Sequence, residues 1–309
     1  MRPGMADGVF IQSGNLMSLP TAHLPLARPT APAVPLPEHA CDSHVHMVAD
    51  DPAFPPWSGR VENPAAGCFE DWMERFRAHQ RQLGLQRIVF VHSIVFGADN
   101  RITLEAVKAW GTDQARAIVL VHDDVDDAEL DRLATEHAMG VRLNYVHGGI
   151  LSFDGVKAMA CRLKERGMHI QMLINSHRHM AEIADDIRRL PVPVVFDHLG
   201  WPDLAAGIDE PGMQTMLSLI GDGHAYVKLS GAYRLCPPPY DQAAPFIEAM
   251  VSANPEGGLW GTDWPHIMLG DAKTPDSGEL LNALLDAVPN SHDRQKIFVD
   301  NPSKLYRFD

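Results

Sequence analysis

Two kinds of apolar pattern alternate along this chain. Continuous β-rich runs occur at "HACDSH", "RIVFVH", "AIVLVH", "GVRLNY", "HIQMLI", "VPVVFDH", "AYVKLS" and "GGLWGTD", eight in all. Between them lie stretches with helical spacing. Val156, Met159, Ala160 and Leu163 recur at i, i+3, i+4 and i+7, and so do Leu281, Leu284, Leu285 and Val288. The segment from Cys68 to Leu83 is a long amphipathic candidate. The short runs do not alternate apolar with polar, as expected of parallel strands covered on both faces. Eight such strands with intervening helices in about 270 residues predict an α/β fold, a (β/α)8 TIM barrel. An open doubly wound sheet is the runner-up, but no G-x-G-x-x-G follows the first strand.

Ahead of "HACDSH" this pattern is missing. Residues 1–38 are rich in Pro and Ala, as in "LPTAHLPLARPTAPAVPLP", and predict an extended arm without regular structure. Such an arm is either a loose tail or a strap over the domain or over a second copy of the chain, which would make a homo-oligomer. Residues 39–309 form the barrel unit. No repeat of solenoid type is present.

Composition narrows the partners. The 309 residues carry a formal net charge of −14, which disfavours nucleic acid and anionic membranes, because both need a basic footprint. A small anionic substrate needs only a few local arginines. No apolar run is long enough to span a membrane, and the first residues have no secretory-type stretch. Cys41, Cys68, Cys161 and Cys236 show no C-x-x-C spacing, so a reduced, cytoplasmic enzyme is expected.

In a barrel the chemistry collects at the C-terminal ends of the strands. The first strand ends in Asp42, His44 and His46, the second runs into His92 and Ser93, and the third into His122. The fourth carries Arg142, Asn144 and Tyr145, and the sixth ends in Asp197 and His198. Lys228, Ser230 and Arg234 follow the seventh, and Asp263 and His266 the eighth. Several have plain structural readings: His92 and His122 as hydrogen-bonded loop residues, Asp197 as a helix cap, Arg142 in an ion pair, Lys228 pointing outward between strands. The H-x-H pair is different. Side chains at i and i+2 share a face of a strand, so His44 and His46 would meet Asp263 inside the barrel, where ionisable groups are costly unless used. No G-x-S-x-G elbow and no P-loop is present.

The motifs D-S-H-V-H, F-D-H-L-G, W-G-T-D-W-P-H and the closing N-P-S-K-L-Y together resemble the amidohydrolase superfamily over about His39 to Phe308. "SIVFGADN", "GVRLNY" and "YVKLSGAYRL" are most similar to its 2-pyrone-4,6-dicarboxylate lactonase-like branch of lactone hydrolases and isomerases. The resemblance implies a hydrolase that opens a carboxylated lactone. Asp263 would activate water, and His44, His46 and His198 would gather around the carbonyl. Ser93, Arg142, Arg234 and His266 would bind substrate, the arginines pairing with carboxylates. Two departures stand out: "NYVHGG" has His147 and Gly148 where the branch has a second basic residue, and Leu173 stands near its tyrosine. A substrate with fewer or differently placed acidic groups is therefore expected.

Most of the superfamily binds a divalent ion. Here His44, His46, His198 and Asp263 could hold a single ion such as zinc. The fifth strand supplies no histidine within its core, His177 and His179 fall in an expected loop, and the fourth strand offers no lysine or glutamate bridge. No metal is therefore the favoured expectation, with a single zinc as the alternative. The competing activities are a zinc-dependent decarboxylase, a sugar-acid lactone isomerase, and a barrel that binds without turnover.

Overall fold

The computed structural model describes residues 19–308. Eight parallel strands follow one another in chain order: β1 (Cys41–Val45), β2 (Arg87–Val91), β3 (Ala115–Val119), β4 (Ala138–Asn144), β5 (His169–Leu173), β6 (Val194–Phe196), β7 (Ala225–Lys228) and β8 (Gly258–Leu259). The chain just after β8 closes the ring onto β1. Ser43 N donates to Trp260 O at 2.8 Å, Asp263 N to His44 O at 2.9 Å, and His46 N to Trp264 O at 2.7 Å. This is the TIM barrel that the eight apolar runs predict.

Helices α1 (Phe69–Leu83), α2 (Arg101–Trp110), α3 (Asp127–Thr135), α4 (Phe153–Glu165), α5 (Ser176–Arg189), α6 (Pro211–Gly221), α7 (Ala244–Ala253) and α8 (Ser277–Ala287) separate or follow the strands. Strand alternation sorts the core into two layers. Ile88 and Phe90 of β2 join the large core between sheet and helices, whereas Val89 and Val91 join a smaller inner cluster with Cys41, Ile118, Val195 and Leu259. Past the short α9 (Ser291–Gln295), Tyr306 at the end of α10 (Asn301–Tyr306) and Phe308 beyond it add to that inner cluster. Arg116 fastens this end, donating to the carbonyls of Tyr306 at 3.0 Å and Arg307 at 2.7 Å. The N-terminal end of the barrel is thus plugged, and the opposite end is left for chemistry.

Residues 1–18 of the expected arm lie outside the described residues. The described part is a strap on this chain's own helices. Thr30 donates through N (2.9 Å) and Oγ1 (2.8 Å) to Asp276, the residue that caps α8. Ala33 N reaches Asn282 Oδ1 at 2.7 Å, and Gln82 of α1 donates to Pro29 O. Gly278 permits the close crossing, since a Cβ there would collide with Thr30 O. Among the described residues, no helix is long and apolar enough to cross a membrane.

Candidate active site

A cavity of about 160 Å³ opens at the C-terminal ends of the strands, lined among others by His46, Ser93, Arg142, His198, Arg234 and Asp263. Six of the eight residues proposed from sequence therefore face one space. His44 lies directly beneath, fully buried, with its Nε2 3.3 Å from His46 Nε2. His266 is turned away. Its Nε2 faces Thr262 O at 3.1 Å, and its ring packs edge-on against Tyr233.

Local backbone geometry builds this cluster. Strict alternation would group Asp42 with His44 and His46, but the β1–β2 register shifts between Asp42 and Val45. Asp42 accepts from Gln80 of α1 at 2.9 Å and from Thr262 Oγ1 at 2.7 Å, so it belongs to the helix side. Asp263 and His198 have φ of 61° and 52°, a left-handed conformation that costs roughly 1 kcal/mol or more for a non-glycine residue and clusters at functional sites. Gly231 makes room for His198, because a Cβ there would lie 2.7 Å from its ring.

The two oxygens of Asp263 have unequal surroundings. Oδ2 accepts from Tyr233 Oη at 2.6 Å and from Arg234 Nε and Nη2 at 3.1 and 2.9 Å. Oδ1 has no hydrogen-bond partner, lying 3.4 Å from His46 Nε2 and 3.7 Å from His44 Nε2. Burial opposes ionisation of this carboxyl, but His198 and the Arg234 guanidinium outweigh it and hold the group well below the usual carboxylate range. Burial and the Asp263 charge push the Tyr233 phenol well above its ordinary value, so it stays a donor.

Burial keeps His44 and His198 neutral, and the three histidines are differently wired. Burial drives His44 well below its ordinary value and His198 down to about 4. His46 Nδ1 lies 2.7 Å from Val91 O, which can only accept, so Nδ1 carries a proton and Nε2 faces the cluster. His198 Nδ1 faces Ser230 Oγ at 3.0 Å.

A second carboxylate underlies the first cluster. Asp197 Oδ2 accepts from Arg142 Nε and Nη2 at 3.3 and 3.2 Å, and its Oδ1 lies 3.2 Å from His44 Nδ1. Arg142 is thus in an ion pair and also lines the cavity. Lys228 does not point outward. It is fully buried, donating to Ser43 O at 2.8 Å and Gln171 Oε1 at 2.7 Å, with Nζ 3.2 Å from His44 Nδ1. A backbone carbonyl, an amide and an imidazole satisfy it where a snorkelling lysine would have used water. Burial lowers its pKa to about 8.

Other expectations are also revised. His177 and His179 sit in the first turn of α5, not in a loop, and His179 Nδ1 accepts from Asn175 N at 3.0 Å. His92 is held between Thr103 Oγ1 (2.8 Å) and Gly97 O (3.0 Å), as a structural histidine would be, and His122 is exposed. Ser93 Oγ accepts from Val95 N at 3.3 Å. Tyr233 went unassigned from sequence; its only signal there was adjacency to Arg234.

Two groups among the described residues could hold a metal ion: His44, His46 and Asp263, and His44, Asp197 and His198. The orphaned Asp263 Oδ1 beside two Nε2 atoms is a donor set that fits a small divalent ion.

Comparison with known proteins gives the chain its relatives. The chain is 32% identical over 279 residues to 4-sulfomuconolactone hydrolase of Hydrogenophaga intermedia, covering 88% of this chain and 89% of that protein. It is 31% identical over 294 residues to 2-pyrone-4,6-dicarboxylate hydrolase of Comamonas testosteroni, covering 91% and 94%. An amidohydrolase of Burkholderia multivorans, solved with bound zinc, shares the fold at a TM-score of 0.64 and 16% identity, over 87% of this chain and 99% of that one. The Amidohydrolase family model matches residues 41–308, the barrel with its whole cluster of histidines and aspartates, and the chain belongs to that family.

Proposed function

We propose that this protein is a lactone hydrolase acting on a small lactone that bears an acidic group. The observation that carries this is Asp263 Oδ1, a buried carboxylate oxygen without a partner at the edge of a cavity flanked by imidazoles and two arginines. The two relatives named as a sulfomuconolactone hydrolase and a pyrone dicarboxylate hydrolase support the substrate class.

In this mechanism water adds to the lactone carbonyl carbon while Asp263 Oδ1 takes its proton. His198, which lines the cavity, is the donor best suited to the developing oxyanion, with His46 beside it and His44 behind. The tetrahedral intermediate then collapses, the ring C–O bond breaks, and the departing oxygen takes the proton held by Asp263. The products are a hydroxyl and a carboxylic acid in one open chain, and the acid loses its proton to solvent to become the carboxylate. Arg142 and Arg234 face the cavity and provide forks for the substrate's acid group.

A divalent ion such as zinc is the alternative device. His44, His46 and Asp263 would hold it, and it would polarise the carbonyl and acidify water. Catalysis without metal is favoured by the charge already present: Arg142, Lys228 and Arg234 stand beside Asp197 and Asp263, so the cluster has no deficit of positive charge.

Ring opening of a panel of neutral and acidic lactones, followed by proton release before and after dialysis against chelator, tests both points. Asp263→Asn should lower the rate by roughly 10²–10⁴-fold. Failure to open any lactone, or an unchanged rate in that variant, rejects lactone hydrolysis. Loss of activity on chelation with recovery on added zinc assigns the ion.

A further inference from the structure

Arg234 grips Asp263 in an uncommon way. A guanidinium and a carboxylate prefer a two-point pairing in which each oxygen takes one N–H. Here Nε and Nη2 both converge on Oδ2, at 3.1 and 2.9 Å, and Oδ1 is left free. The difference is supplied by Tyr233, whose hydroxyl donates to the same Oδ2 at 2.6 Å. Its ring is fixed in turn, edge-on to His266 with centroids 5.2 Å apart and beneath the Arg234 guanidinium at 4.7 Å.

We infer that Tyr233 is a positioning residue that pins Asp263 Oδ2 and so keeps Arg234 from capturing Oδ1, reserving that oxygen for the substrate water. The inference rests on the lactone-hydrolase proposal for what Oδ1 does, but not for how it is held. With Tyr233 in place, rotation of the carboxylate would break the shortest hydrogen bond it makes. Without the hydroxyl, a small rotation lets the guanidinium take both oxygens, and the free lone pairs facing His44 and His46 disappear. His266 acts here from behind, by packing on Tyr233, instead of touching substrate.

Tyr233→Phe tests this, since it deletes one oxygen and keeps the ring that packs on His266 and Arg234. The kcat for a lactone opened by the unaltered protein should fall at least tenfold while KM changes less than threefold. A crystal structure of the variant should show the Asp263 carboxylate rotated, with one arginine nitrogen on each oxygen. In an Arg234→Met background the same Tyr233→Phe change should cost markedly less, because the competitor for Oδ1 is gone. An unrotated carboxylate in the variant overturns the inference, as does unchanged kcat or equal loss in both backgrounds. A protein that opens no lactone rejects the functional proposal instead, and the carboxylate torsion still decides the role of Tyr233.

Discussion

Lys228 Nζ lies 3.2 Å from His44 Nδ1 in the centre of the barrel, and neither side chain is exposed to solvent. The lysine rises from β7 and the histidine from β1, so two strands separated by β8 meet through their side chains. The ammonium also faces Asp197 Oδ1 at 3.8 Å. Removing it strands a buried carboxylate and three acceptors. Such losses cost about 3–5 kcal/mol when one partner of a buried pair is deleted. Lys228→Met is expected to lower the urea midpoint accordingly, and equilibrium unfolding measures it; a shift below about 1 kcal/mol would show that Arg142 alone satisfies Asp197.

Buried neutral histidines make the fold acid-sensitive. Burial pushes His79, His92 and His169 down to about 3, far below the 6.5 of an unfolded chain. Below pH 6.5 the unfolded chain binds protons that the folded one refuses. Stability is therefore full above pH 6.5 and declines as pH falls toward 3, by roughly 1 kcal/mol per pH unit for each such group. Denaturation in urea at pH 7.5 and pH 5.5 should show a clear drop, and His79→Gln should reduce its steepness.

The strap depends on one missing side chain. Gly278→Val places carbon where Thr30 O now sits, so the segment around Thr30 should lift from α8. Chymotrypsin should then cut the Leu26–Ala27 bond much faster than in the unaltered protein, with a global loss of about 1–2 kcal/mol from the broken Asp276 contacts. Equal cleavage rates would mean the strap is held elsewhere.

Arg142 is half-buried at 15% side-chain exposure, with Nη1 only 3.5 Å from its nearest other partner, His92 O. That long contact leaves Nη1 able to turn to a substrate anion in the cavity. Arg142→Met should raise KM for an acidic lactone at least tenfold and leave KM for its neutral ester nearly unchanged. Parallel effects on both substrates would assign Arg142 to holding Asp197 alone.

The barrel was legible because eight apolar runs with helical stretches between them have few ways to bury both faces. Asp263, His46 and His198 were legible because strand ends point to one mouth. What alternation misassigned was Asp42: the register shift in β1 turns it toward α1, a change of facing that sequence spacing does not encode. His266 lies away from the cavity for a related reason. It follows β8 closely in sequence, but the left-handed backbone at Asp263 and at His266 itself sends its ring behind Tyr233.

Sequence by itself determined the strand count, the parallel order and which residue types reach the mouth of the barrel, because these follow from the period of apolar residues and the polarity of a β/α unit. Only the tertiary structure decided how those residues pair. Lys228 turns inward because Ser43 O, Gln171 and His44 offer it partners that no local pattern announces. Asp263 keeps one oxygen free because Tyr233 and Arg234, 30 and 29 residues away, both load the other. Hydrogen-bond partnership in a buried cluster depends on distances of a few tenths of an ångström between strands, and those distances exist only once the barrel has closed.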